Sequence, residues 1–113
     1  MPNQLNKIFK SIADPTRRDI FHLLIVASTA LSITQIANHF DISRQGITKH
    51  LKVLHQAGLL EMTTKGRERY CMANAGPLRE IHDWVAFYEQ FWDDKLNRLN
   101  QYLKQKGKQN PGG

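Results

Sequence analysis

Apolar positions recur at helical spacing from the start of the chain. Leu5, Ile8, Phe9 and Ile12 fall at i, i+3, i+4 and i+7, the mark of a short amphipathic helix. The pattern stops before "DPTRR". There Asp14 is a good N-cap and Pro15 suits the first helical position, so a second helix begins. Ile20, Phe21, Leu23, Leu24 and Val26 predict that this helix is mostly buried, and "STALS" ends it. Thr34 is placed to cap a third, very short helix, "QIANHF". "DIS" makes a turn, and Ser43 caps a fourth helix over 43–57. Its buried stripe is Ile47, Leu51 and Leu54. Gly58 stands where a left-handed residue belongs, with Leu59 placed to fold back on Leu54.

The pattern then changes period. Reflecting "LLEMTTKGRERYCM" about Gly66 sets Met62 opposite Tyr70 and Leu60 opposite Met72, a hairpin over 60–73 with one apolar face. On this register Lys65, Arg67 and Arg69 share the opposite side. "NAGPLRE" opens a last helix, predicted to run to about Leu103, roughly 40 Å at 1.5 Å per residue. Five of the ten aromatic residues fall between Trp84 and Trp92: Trp84, Phe87, Tyr88, Phe91 and Trp92. They cover more of the helix than the one stripe a surface helix needs. A second buried face follows, and a second copy of the chain is its simplest source.

The 113 residues suffice for one domain, read as 1–104, with 105–113 as a flexible polar tail. The net charge of +6 points to a polyanionic partner. Charge is also segregated. Residues 42–70 hold six basic and two acidic side chains, a net of +4, whereas 77–94 hold one basic and five acidic, a net of −4. The single cysteine, Cys71, leaves no internal disulfide and no cysteine cluster for a metal. It reads as an inert strand thiol. With no apolar signal core and no run approaching a membrane span, the expected setting is the cytoplasm, without a membrane partner.

Two short helices joined by a tight turn make a helix-turn-helix, whose second helix enters the DNA major groove. The fold expected is mainly α with a small β-hairpin: a winged helix-turn-helix of five helices and a two-stranded wing. On the fourth helix Ser43, Arg44, Gln45, Gly46, Thr48, Lys49, His50 and Lys52 form the candidate DNA face, opposite Ile47, Leu51 and Leu54. Gln suits adenine, Arg or Lys suits guanine, and Thr suits a thymine methyl. Gly46 is expected to let the helix start press close to the duplex. The wing adds Lys65, Arg67 and Arg69. His50, between groove face and core, suits a structural or phosphate bond. Arg17 and Arg18 open a helix where the macrodipole disfavours them, so ion pairs with Asp14 or Asp19, or phosphate contacts, are expected.

"SIADPTRRDIFHLL", "TKHLKVLHQAGLL", "KGRERYCM" and "DWVAFYEQFWDDKLNRL" together make the chain, from about Leu5 to Leu103, resemble the ArsR/SmtB family of winged-helix repressors. The likeness is to its non-metal, SdpR-like branch. It implies a homodimer blocking a near-palindromic operator, often its own promoter. The dimer interface would use Leu5, Ile8, Phe9, Leu78, Ile81, Trp84, Val85, Tyr88, Phe91 and Trp92. Metal-sensing members carry paired cysteines where this chain has Ser32 and Thr34. A second family site needs a ligand where it has Leu96, beside Glu80, His82 and Asp93. No metal or other cofactor is therefore expected, and nothing in the sequence identifies a small-molecule or protein inducer.

Blander readings compete. The basic helix face and the wing charges also read, less readily, as solvated surface, and the aromatic stripe as the wall of a ligand pocket. The second functional reading is a winged-helix module that binds an acidic protein. An enzyme is the third, but no Gly-rich phosphate loop, nucleophile motif or metal cluster is present, so none is expected.

Overall fold

The structure, a computed structural model, describes residues 2–109. Its elements are α1 (Pro2–Ile12), α2 (Pro15–Ala27), β1 (Leu31–Ser32), α3 (Ile33–Phe40), α4 (Arg44–Gln56), β2 (Leu60–Lys65), β3 (Glu68–Ala73) and α5 (Leu78–Gln109). The chain is thus mainly α with a small antiparallel sheet of order β1-β3-β2. Two compact units divide it, Met1–Ile81 and His82–Gly113. The first holds the helix-turn-helix and the wing; the second is the bulk of α5.

Local chemistry explains most boundaries. Asp14 caps α2 by accepting the Arg17 N–H at 3.0 Å. α3 begins earlier than "QIANHF" implies. Its cap is Ser32, not Thr34: Ser32 Oγ accepts the Gln35 N–H, and the Gln35 side chain accepts the Ser32 N–H. That reciprocal box satisfies two end groups where a Thr34 cap satisfies one. Ser43 caps α4 through the Gly46 N–H at 3.1 Å. At its far end Gly58, with φ +81°, donates to His55 O and Leu59 donates to Leu54 O. This pair of bonds is the Schellman arrangement, and it turns the chain into β2.

The core joins every element of the first unit. Ile8, Ile20, Leu24, Ile36, Ile47, Leu51, Leu54, Leu59 and Cys71 are each at most 1% exposed. α2 is less buried than its sequence predicts. Only Ile20 and Leu24 are fully buried, while Val26 is 66% exposed, because one face of the helix meets the core.

Arg17 and Arg18 do not form the expected side-chain ion pairs. Arg17 Nε donates to Ser11 O at 2.6 Å and its Nη2 to Lys10 O at 3.0 Å. Arg18 Nη1 donates to Ile12 O at 2.7 Å and Ala13 O at 3.3 Å. Both therefore reach back to the carbonyl end of α1, where a helix dipole favours cations. "DPTRR" clasps two helices.

The hairpin differs from its predicted register by one residue. Leu60 pairs with Ala73, Met62 with Cys71 and Lys65 with Glu68, around the two-residue turn Gly66–Arg67. Gly66 has φ +61°, as the first central residue of a type II′ loop requires. A reflection through one residue cannot produce a two-residue turn. A third strand, unforeseen in the sequence, completes the sheet: Leu31 pairs with Cys71 and Ser32 with Tyr70. α5 also outruns its expected end, so 105–109 are helical rather than tail. Residues 110–113 lie outside those described.

A candidate nucleic-acid interface

α4 has two unlike sides. Ile47, Leu51 and Leu54 are 0% exposed, anchoring the helix in the core. Ser43, Arg44, Gln45, Lys49 and Lys52 are exposed, and Thr48 and His50 are half-buried. Thr48 Oγ1 donates to Arg44 O at 2.7 Å, so its hydroxyl proton is already used within the helix. What it still offers a base is a methyl group and oxygen lone pairs.

Gly46 has a packing task that its sequence position does not suggest. A Cβ there would lie 2.9 Å from Ile42 Cγ2 and 3.3 Å from Ser43 Oγ. The missing side chain makes room for the turn between α3 and α4. His50 also looks inward. Its Nδ1 lies 3.5 Å from Arg17 Nη1 and 4.0 Å from Asp14 Oδ2. The Arg17 backbone N–H holds the Asp14 carboxyl below its usual pKa, with help from the Arg17 and His50 charges.

The one-residue change in register redistributes the wing's charges. Lys65 and Arg69 lie on opposite faces of the hairpin, and Arg67 sits in its turn; all three are exposed. Arg69 shares a face with Cys71 and Met62. With Thr48, Lys52, His55, Gln56 and Met62 it lines an open groove between α4 and the sheet. His55 and Gln56 were absent from the sequence reading, since they lie past the stretch whose residue types suggest base contact. Glu68 was missed too. Its Oε1 accepts Thr34 Oγ1 at 3.3 Å, and its Oε2 lies 4.0 Å from Arg44 Nη2.

The residues proposed for an interface between copies divide by burial. Ile8 belongs to the core and is 0% exposed, which leaves it no surface for a partner. Leu5 and Phe9 are half-buried on α1, and Leu78 and Ile81 pack against the core. Val85 is half-buried. Trp84, Tyr88, Phe91 and Trp92 are 39–54% exposed. Trp84 and Tyr88 stack edge to face, 5.2 Å apart. Burial pushes the Cys71 thiol up to about 11. No group of three metal-ligating side chains occurs among the described residues, and no helix there is long and apolar enough to cross a membrane.

A recognition helix anchored on three core residues, a helix before it and a wing after it define a winged helix-turn-helix DNA-binding protein. Comparisons with known proteins place it further. A family model described as "Helix-turn-helix domain" matches residues 12–63. The chain is 35% identical over 92 residues to the transcriptional repressor SdpR of Bacillus subtilis (strain 168), covering 81% of this chain and all of that protein. Among solved structures, an ArsR family transcriptional regulator matches with TM-score 0.73 and 30% identity, over 82% of this chain and 94% of that one. The homodimeric winged helix-turn-helix DNA-binding domain Mb0332 of Mycobacterium bovis matches in fold, with TM-score 0.62 and 22% identity over 76% and 81%. The chain belongs to the ArsR/SmtB family of winged helix-turn-helix transcriptional regulators, with an SdpR-like relationship.

Proposed function

We propose that the protein is a homodimeric repressor of a near-palindromic operator, its own promoter being the first candidate. In this reading α4 lies in the major groove and the wing lies on phosphate or in the minor groove. One observation carries it: Arg44, Gln45, Lys49 and Lys52 stand exposed opposite three fully buried residues of the same helix. A merely solvated face has no need to be free of acids, whereas a face on phosphates does. The repressor role is supported by the SdpR relative, and the dimer by the M. bovis neighbour and the exposed apolar residues of α5.

No cofactor enters this reading. Ser32 and Thr34, at the family's metal positions, cap α3 and bond Glu68 instead. The test is selection of bound duplexes from a random pool, with the protein's own promoter included, followed by titration at several salt concentrations. A two-fold-related site with steep salt dependence is the expected outcome. Equal affinity for selected and scrambled duplexes defeats the reading.

A further inference from the structure

Glu68 is an acid on a basic surface. Lys65, Arg67 and Arg69 surround it in the chain, and each is better suited to DNA than a carboxylate is. Yet Glu68 is held firmly. Backbone pairing with Lys65 fixes it beside the wing turn, and Thr34 Oγ1, in the first turn of α3, donates to one of its oxygens. The other oxygen, Oε2, is closed off from solvent and has no hydrogen-bond partner among the described residues. The cation beside it is Arg44, with Nη2 at 4.0 Å.

We propose that Glu68 is a positioning residue that aims the Arg44 guanidinium at a base, so that the wing sets a base preference without touching that base. The inference rests on α4 being the base-reading helix. Arg44 is the first residue of α4, at the end of the helix dipole that disfavours a cation, and the Glu68 carboxylate offsets this. A guanidinium presents five donors in a planar fork. A carboxylate on one edge leaves another edge for O6 and N7 of a guanine. An arginine held in this way loses less freedom on docking than a free one. At 4.0 Å the contact is an ion pair rather than a hydrogen bond. Docked DNA expels water, lowers the local dielectric and strengthens the pair. Closure gives the unused Oε2 its donor.

A carboxylate with no such task gives the opposite result, since it repels phosphate and its removal tightens binding to every sequence alike. The experiment compares wild type, Glu68→Gln, Arg44→Ala and the double variant. Each is titrated against the selected duplex, its single-base-pair variants and a scrambled duplex, with thermal unfolding as the check on folding. Arg44→Ala is expected to abolish preference at one position per half-site, a preference of about 5- to 150-fold for a bidentate contact. Glu68→Gln is expected to lose at least about threefold of that same preference, to bind scrambled DNA as well as wild type or better, and to have no further effect in the Arg44→Ala background. Retention of the preference within about twofold, an equal change on all duplexes, or an effect that persists without Arg44 each overturns the inference. If Arg44→Ala leaves every base preference intact, the base-reading role of Arg44 fails first, and that outcome is distinct from the others.

Discussion

At the scale of single residues, neighbouring side chains of α4 have unlike roles. Gln45 is exposed and has the shape to read a base. Gln45→Ala should cost ~1–3 kcal/mol for each base it reads and relax preference at one position in each half-site. Lys65 carries charge alone. Lys65→Ala should weaken all duplexes about equally and lower the salt slope by roughly one unit for each phosphate that Lys65 neutralises. Isotherms on specific and scrambled duplexes separate the two. Gly46 is a packing residue, so a substitution there is a stability test before it is a DNA test. A methyl group 2.9 Å from Ile42 Cγ2 forces a shift at the start of α4. Overpacking of ~1–3 kcal/mol should outweigh the ~1 kcal/mol that alanine gains in a helix. Gly46→Ala should therefore unfold at lower urea than wild type, and a more stable variant would refute the packing role. Asp14 supplies a pH signature. Its pKa is lowered in the fold, so its charge stabilises above the ordinary carboxylate pKa, and that part is lost as pH falls through the lowered value. The stability gap between wild type and Asp14→Ala should be full at neutral pH and shrink in acid. A constant gap would show that the charge contributes nothing.

At the scale of elements, the two arginines of "DPTRR" decide how α1 meets α2. Arg17 makes two bonds to carbonyls at the end of α1, one of them on the fully buried Ser11. Hydrogen bonds from a charged donor contribute about 1.5–3 kcal/mol. Arg17→Ala should lower unfolding stability by about 2 kcal/mol, and Arg17→Lys should recover only part of it, since an ammonium lacks the fork. A drop below about 0.5 kcal/mol in urea unfolding would rule out the clasp. The wing turns on its register. Gly66 was legible as the turn, but two residues turn rather than one. The slip moves Arg69 from the face of Lys65 to the face of Met62 and brings Glu68 beside Lys65. Because side chains alternate across a strand, one residue of slip exchanges the faces of half the hairpin.

At the scale of the whole molecule, α5 is the main unfinished surface. Nine of its large apolar residues, from Trp84 to Leu103, are 39–59% exposed. Tyr88, Trp92, Leu96, Leu99 and Leu103 continue the line of Ile81 and Val85, with Ile81 to Trp92, Val85 to Leu96, Tyr88 to Leu99 and Trp92 to Leu103 each one eleven-residue step. An eleven-residue repeat keeps a stripe nearly straight, with a slight right-handed drift, unlike the seven-residue repeat of a left-handed coiled coil. Such a stripe suits a long pairing of two copies. Trp92→Glu should yield monomer in sedimentation at micromolar concentration, and ending the chain before Leu96 should weaken the dimer. A folded wild-type monomer at that concentration would remove the dimer from the proposal.

Much of this architecture was written in local patterns. The caps Asp14 and Ser43, the stripe Ile47–Leu51–Leu54, the Gly58 stop and the charge contrast between 42–70 and 77–94 depend on residues near one another in the chain. Short-range hydrogen bonding and helical periodicity are enough to read them. The exposed basic face of α4 follows from that periodicity. Most of the features that escaped depend on one element meeting another. Ser32 pairs with Tyr70 only when β1 meets β3, although its capping box with Gln35 is a local signal that the Thr34 reading passed over. Arg17 and Arg18 find carbonyls only when α1 and α2 turn back on each other. Glu68 meets Thr34 and Arg44 only when the wing folds against the helix-turn-helix. Ile8 is core rather than interface because neighbouring helices cover it, whereas the equally apolar Phe91 stays half exposed in the single chain. A sequence pattern tells which side of an element is apolar; which neighbour covers that side is settled by long-range packing, where loop closure and burial are balanced over the whole chain.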